Sequence, residues 1–452
     1  MIVWPESDER RLLGRFYVSD GLARAFYLIY PFEFAYLYLV MDRPEWSVLP
    51  LMVMSGTSLV MQLPTGAVAD RWGRKRAALL GSGLTSITYV SVPWAARLGG
   101  STQLVTVCLA FAVTGLGQTM MMGAQEAWVV DNLKQAGRDD LVGPYFARTY
   151  TVISTGGVVA GTAAVTMLLV LRVDRLLLDS LWYVTAAGSL AAVGVALGIP
   201  ERRPAGTTVT DPALLPRMKQ AVKAIIRIRP LLFLTVALFI ANLSGASADE
   251  AFPVALITTG IDARALGPVT IAEDLLGVAA PLLALVLVKR AGVEPLLSSL
   301  LLFCGAAVSL LFFYRSAVVI IGLWIALGFV DRMWDPTAMA RLQEDIPSEH
   351  RAAIGSLVYQ ASGVADLAGL GLLTVLLGSH SKQLREATPD LVDAFTRRTT
   401  ATGTVPKGLF GLPFPDLAIV ILVLLSLLAV PFVFMARRSR LKEVTPAGSR
   451  TP

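Results

Sequence analysis

Carboxylates standing inside apolar stretches are the first chemistry this sequence offers. Glu33, Asp249, Glu250, Asp331 and Asp366 each lie within a long apolar run, and Arg332 follows Asp331 directly. A charge at the centre of a bilayer costs roughly 2.5–3.5 kcal/mol by insertion scales, so these groups must face protein or water. A carboxyl in such a place can take up and release a proton, or hold a cation. Asp249 and Glu250 are adjacent and point about 100° apart on a helix, so at most one faces a given cavity. Two close carboxylates resist joint ionisation, which leaves one able to carry a proton. Plainer readings stand beside these. Glu33 and Asp366 could be hydrogen-bonded helix contacts, and Asp331 with Arg332 reads first as a salt-bridged pair. The run with Asp249 and Glu250 could end early and leave both in water, as could Glu273 and Asp274.

The elements that must position these groups are membrane-spanning helices. Of 452 residues, 55% are hydrophobic and 16% charged, whereas a soluble domain carries about 25% charged residues. Apolar runs recur at 17–40, 47–69, 77–96, 103–127, 144–171, 180–199, 231–257, 268–288, 294–314, 316–340, 352–378 and 416–436. Each suits one crossing, and together they predict twelve transmembrane helices in an all-α membrane protein. The acids avoid the interiors of spans three, six, nine and twelve, which predicts that these spans lie outermost, against lipid. Lys and Arg concentrate in the connections that are cytoplasmic if the N-terminus is inside, which puts both termini in the cytoplasm.

The segment 200–230, with Pro204, Pro212, Pro216 and the basic residues Arg217, Lys219, Lys223, Arg227 and Arg229, is the one internal break. It divides the chain into 1–199, a linker at 200–230, and 231–452. Part of it could lie as an amphipathic helix on the membrane surface. The net charge of +6 falls in membrane-flanking connections, so it does not point to nucleic acid. Cys108 and Cys304 sit in apolar runs on separate halves and are expected to be free thiols. His350 and His380 lack partners at metal-ligand spacing, and no phosphate loop, CxxC pair or serine elbow is present. The expectation is therefore no cofactor, no metal and no enzymatic activity. The polar N-terminus, Met1 to Arg15, gives no sign of a cleavable signal.

Between spans two and three stands G-A-V-A-D-R-W-G-R-K-R, residues 66–76. So many charges between two apolar runs predict a tight loop at a membrane face. Gly66, Asp70, Arg71, Gly73, Arg74 and Lys75 resemble, without a gap, the signature loop of the major facilitator superfamily of secondary transporters. The resemblance implies two six-helix bundles related by pseudo-symmetry, with helices 1, 4, 7 and 10 around a central cavity. It also implies a cytoplasmic gate in which the loop's Asp and Arg join an acid on helix four; Glu126 and Asp131 are both candidates here. The run Val288-Lys289-Arg290-Ala291-Gly292 looks like an eroded copy of the loop in the second half. Two features depart from the drug-exporter pattern. Phe111 stands where that pattern has an Arg, and Ser154 to Gly161 keeps small residues but lacks the Gly-Pro.

Together these readings predict alternating-access export of a small, cationic or neutral amphipathic molecule. Coupling to protons is expected through Glu33, Asp249, Glu250 and Asp366, from a monomer in the cytoplasmic membrane. Proton-coupled uptake is the first alternative. A non-transporting receptor or scaffold on the same frame is the second.

Overall fold

The computed structural model describes residues 7–121, 124–201, 222–223, 225–258, 261–313, 316–345, 351–379 and 430–435. Among them the regular structure is helical. The helices are α1 (Ser7–Ala25), α2 (Glu33–Val40), α3 (Leu49–Trp72), α4 (Arg74–Ala95), α5 (Gly100–Met121), α6 (Ala124–Gln135), α7 (Val142–Val170) and α8 (Arg175–Leu197). There follow α9 (Arg229–Thr258), α10 (Leu266–Ala291), α11 (Val293–Phe313), α12 (Ala317–Asp345) and α13 (Arg351–Ser379). Expected spans one to eleven each coincide with a helix or a pair of helices; span twelve is described only at residues 430–435. Among the described residues, Gly100–Gln135, Thr151–Val170 and Arg175–Leu197 are the stretches long and apolar enough to cross a membrane on composition alone. Charged residues within spans, such as Asp20 and Arg24 in α1, set others apart.

Two expectations need correction. The first span does not begin at residue 17 as one rod. It starts at Ser7, stops at Ala25, and resumes at Glu33 after a 3-10 turn over Tyr30–Phe32. Pro31 lies in that turn, where its missing N–H interrupts the helical ladder. Nor is the signature stretch a loop. α3 runs through Asp70 to Trp72, α4 begins at Arg74, and Gly73 alone joins them with φ 111°. That backbone conformation is open essentially to glycine only. The eroded copy is built the same way: Gly292, with φ 89°, is the one residue between α10 and α11.

The chain divides into two compact units. The first comprises residues 1–210, 260–275 and 377–404, and so takes in the beginning of α10; the second comprises 211–259, 276–376 and 405–452. In the first unit α4 packs between α5 and α8, and α1 against α7 and α8. Contact of α4 with α5 is backbone-close, since a Cβ on Gly81 would lie 2.3 Å from the Gly117 carbonyl oxygen. Small residues at such points let membrane helices meet. Leu13, Phe16, Trp128, Val129 and Leu133 form an apolar core near one end of this unit. The second unit has its own core around Leu231, Leu297, Ala338 and Ile354. Leu80, Ile87, Val90 and Trp94 of α4, and Leu176, Leu190 and Leu197 of α8, remain exposed, forming apolar surfaces. Cys108 and Cys304 are free thiols.

Candidate functional site: a charged row on the first span and the signature turn

A first row of groups is placed by α1 and the helices it touches within the first unit. From α1 toward α2 the chain presents Asp20, Arg24, Tyr27 and Glu33. Asp20 and Arg24 lie one turn apart on α1, and Tyr27 follows just past its end. Gln125 Nε2 donates to Asp20 Oδ1 at 2.7 Å. Arg24 extends its guanidinium over the Tyr30 ring, 3.8 Å from Cζ to the centroid. It also meets Asp274 of α10, with Nη2 3.6 Å from Oδ2. The Tyr27 hydroxyl donates to Glu33 Oε2 at 2.6 Å, and its ring lies 5.5 Å from that of Tyr89. Glu33 therefore stands, half-buried, where α2 restarts after the broken turn.

α7 makes room for this row. A Cβ on Gly157 would lie 2.2 Å from Asp274 Oδ2, and one on Gly156 would lie 2.9 Å from Arg24 Cβ. The small residues at 154–161, read from the sequence as a helix-contact stripe, thus seat an ion pair.

At the signature turn, Arg74 Nη1 donates to Asp131 Oδ2 at 2.5 Å and to the Ala127 carbonyl at 3.1 Å. Of the two candidate acids on α6, the structure brings Asp131 to Arg74 and leaves Glu126 exposed. Gly66 is exposed on α3, as is Arg71; Asp70 lies on α3, and its side chain is outside the described ones. Lys75 turns the other way, donating through Nζ to the carbonyls of Leu197 at 2.7 Å and Ile199 at 2.6 Å. Arg15 donates to the Gly198 carbonyl. Trp128 Nε1 and Asn132 Nδ2 both donate to Pro200, at 3.0 and 2.9 Å. Four side chains thus hold the carbonyls of residues 197–200, at and just past the end of α8, where positive charge also meets the negative end of the helix dipole.

The remaining expected residues lie in the second unit. α9 continues through Asp249 and Glu250 to Thr258, so span seven does not end before them. Glu250 is half-buried, and the Asp249 side chain is outside the described ones. On α12 Asp331 is exposed, while Arg332 lies against Gly277, whose Cβ would meet Nη1 at 2.4 Å. Asp366 is half-buried on α13. One turn from it, Ser362 accepts a hydrogen bond from Asn242 of α9 at 2.9 Å.

Several charges escaped sequence reading. Asp274, expected near water, is 2% exposed. Arg24 lies within span one, and Arg148 of α7 donates to buried Glu9 at 2.5 Å. Asp179, fully buried at the start of α8, accepts from Tyr36 Oη at 2.5 Å, Arg97 Nη2 at 2.8 Å and Arg175 Nε at 3.2 Å. Hydrogen bonding to Asp179, and then its charge, hold the Arg97 guanidinium above its ordinary value. Signals for these were present in part. Asp20 and Arg24 are four apart in an apolar run, and Arg175 precedes Asp179 by one turn.

The Major Facilitator Superfamily profile matches residues 27–370. The chain belongs to the major facilitator superfamily. The fold agrees with solved members across nearly its whole length. The nucleoside transporter NupG aligns with TM-score 0.69 at 12% identity, over 95% of this chain and 99% of that one. The POT family transporter PepTSo gives 0.68 at 12%, over 97% and 99%. A bacterial homologue of the iron transporter ferroportin, in its inward-facing state, gives 0.67 at 13%, over 94% and 98%. No individual characterised protein matches the sequence. Membership makes this a multi-pass membrane protein of the transporter class, one that binds small molecules.

Proposed function

We propose that this superfamily member is a proton-coupled exporter of a small cationic or neutral amphipathic molecule, working by alternating access. One observation carries the reading. Glu33, an acid inside the first span, sits where that span breaks and is hydrogen-bonded by Tyr27 at 2.6 Å. Broken spans are where transporters of this kind gather ligand and ion sites, because interrupted helices present polar backbone there. A carboxyl so placed exchanges a proton for a bond to Tyr27. Asp249, Glu250 and Asp366 are the further candidates for coupling. On this reading Arg74 and Asp131 close the cytoplasmic side of the signature turn, and their contact biases the equilibrium between two states. The bundles that alternate are 1–199 and 231–452, joined by 200–230, in a monomer of the cytoplasmic membrane with both termini inside.

Uptake by proton symport is the second reading. It is favoured by Phe111, which stands where the exporter pattern has an Arg and is 1% exposed, leaving no room for a charge in its place. The test is flux in proteoliposomes with an imposed pH gradient, screened across organic cations and neutral amphiphiles. Glu33→Gln is expected to abolish gradient-driven flux while substrate exchange without a gradient persists. Unchanged gradient-driven flux in that variant, or in wild type after the gradient is collapsed, would end the proton-coupled reading. The direction of net movement separates export from uptake.

A further inference from the structure

The structure holds several ion pairs, and one of them is built differently. Arg97 and Arg175 meet Asp179 at 2.8 and 3.2 Å, Arg74 meets Asp131 at 2.5 Å, and Arg341 meets Glu294 at 3.0 Å. All are hydrogen-bonded contacts, as a pair kept for structure requires to offset its desolvation. Arg24 and Asp274 approach only to 3.6 Å although their side chains are 16% and 3% exposed. The Arg24 Nε finds no hydrogen-bond acceptor among the described residues. What the guanidinium does have is an aromatic face: Tyr30 at 3.8 Å, with Tyr27 at 5.6 Å. A carboxylate beside a tyrosine face, with backbone of α7 as its floor at Gly157, is a receptor for a planar organic cation. Tyr30 is 38% exposed, so the receptor has an open side.

We propose that Asp274 and the Tyr30 ring form a binding site for a small guanidinium- or amidinium-class cation, which Arg24 fills as a tethered occupant until such a cation exchanges with it. This rests on the reading that the transporter accepts cations, and it names the class and the residues. Arg24 and the ligand compete for one seat. The apparent affinity of an arriving cation is therefore reduced by the fraction of time Arg24 is away. Released from Asp274, Arg24 stays on α1, where Asp20 lies one turn back.

Methylguanidinium is the probe, measured by equilibrium binding to the purified full-length protein in detergent. Wild type is expected to bind it saturably and weakly. Arg24→Ala removes the resident competitor and should bind at least about tenfold tighter. Asp274→Asn and Tyr30→Ala should each lose binding. Arg24→Gln, which keeps the length of the side chain, serves if Arg24→Ala does not fold, with the same expected gain. No saturable binding in wild type, or binding that survives Asp274→Asn, overturns the proposal. So does binding in Arg24→Ala and Arg24→Gln no tighter than in wild type. The reading it rests on fails separately. Intact methylguanidinium binding with no flux of any cation in proteoliposomes would leave the site standing and remove the transport assignment.

Discussion

Single residues in this protein divide into those that hold and those that exchange. Asp179 holds. Three donors converge on it, and Tyr36, itself buried, has its hydroxyl on that carboxylate. In Asp179→Leu the two arginines, 55% and 37% exposed at their side chains, can turn to water, but the buried Tyr36 hydroxyl loses its acceptor. The expected cost is that of a poorly satisfied buried group, about 1–3 kcal/mol. A lowered apparent Tm of the purified variant checks it, and an unchanged Tm would mean the cluster is dispensable. This cluster was only half legible in the sequence. Arg175 and Asp179 are one turn apart and read as a local pair. Arg97 and Tyr36 come from distant positions, and only the packing of α2, α4 and α8 brings them in. Glu33 was legible because an acid in an apolar run is conspicuous. Asp274 was misread because nothing in its own neighbourhood shows that Arg24, 250 positions earlier, lies across from it.

At the scale of elements, the protein's sharpest device is a pair of one-residue joints. Gly73 between α3 and α4, and Gly292 between α10 and α11, both adopt positive φ and let one helix follow another without a loop. The charge pattern around Gly73 correctly marked a reversal. It did not show that the reversal is a single residue, because charged residues at the ends of two long helices look like a loop on composition alone. Gly73→Ala forces a side chain into that backbone conformation, at about 1–3 kcal/mol. The variant should show a lower apparent Tm and weaker flux together. Arg74→Ala, next to it on unstrained backbone, should keep the Tm within a few degrees and lose flux alone. If both variants behave alike, the turn acts only as a connector. The break between α1 and α2 was not foreseen either. Pro31 was visible, but apolar residues on both sides masked it, since prolines are common in membrane helices.

For the molecule as a whole, membership of the superfamily was legible from six residues of one motif, and the span limits followed from hydropathy to within a few residues for most helices. Topology gives a prediction at this scale. With Cys108 and Cys304 replaced, Arg43→Cys between α2 and α3 should react with a membrane-impermeant maleimide in intact cells. Arg76→Cys should react only after permeabilisation. The reverse pattern would invert the orientation and place both termini outside.

The grip on the carbonyls of residues 197–200 has a consequence for insertions beyond it. Residues 197–200 are moored to a post built from α1, α4 and α6. A reporter spliced into positions 205–215 would leave the post where it stands. Loosening Lys75 or Asn132 would instead untie the chain where it leaves α8.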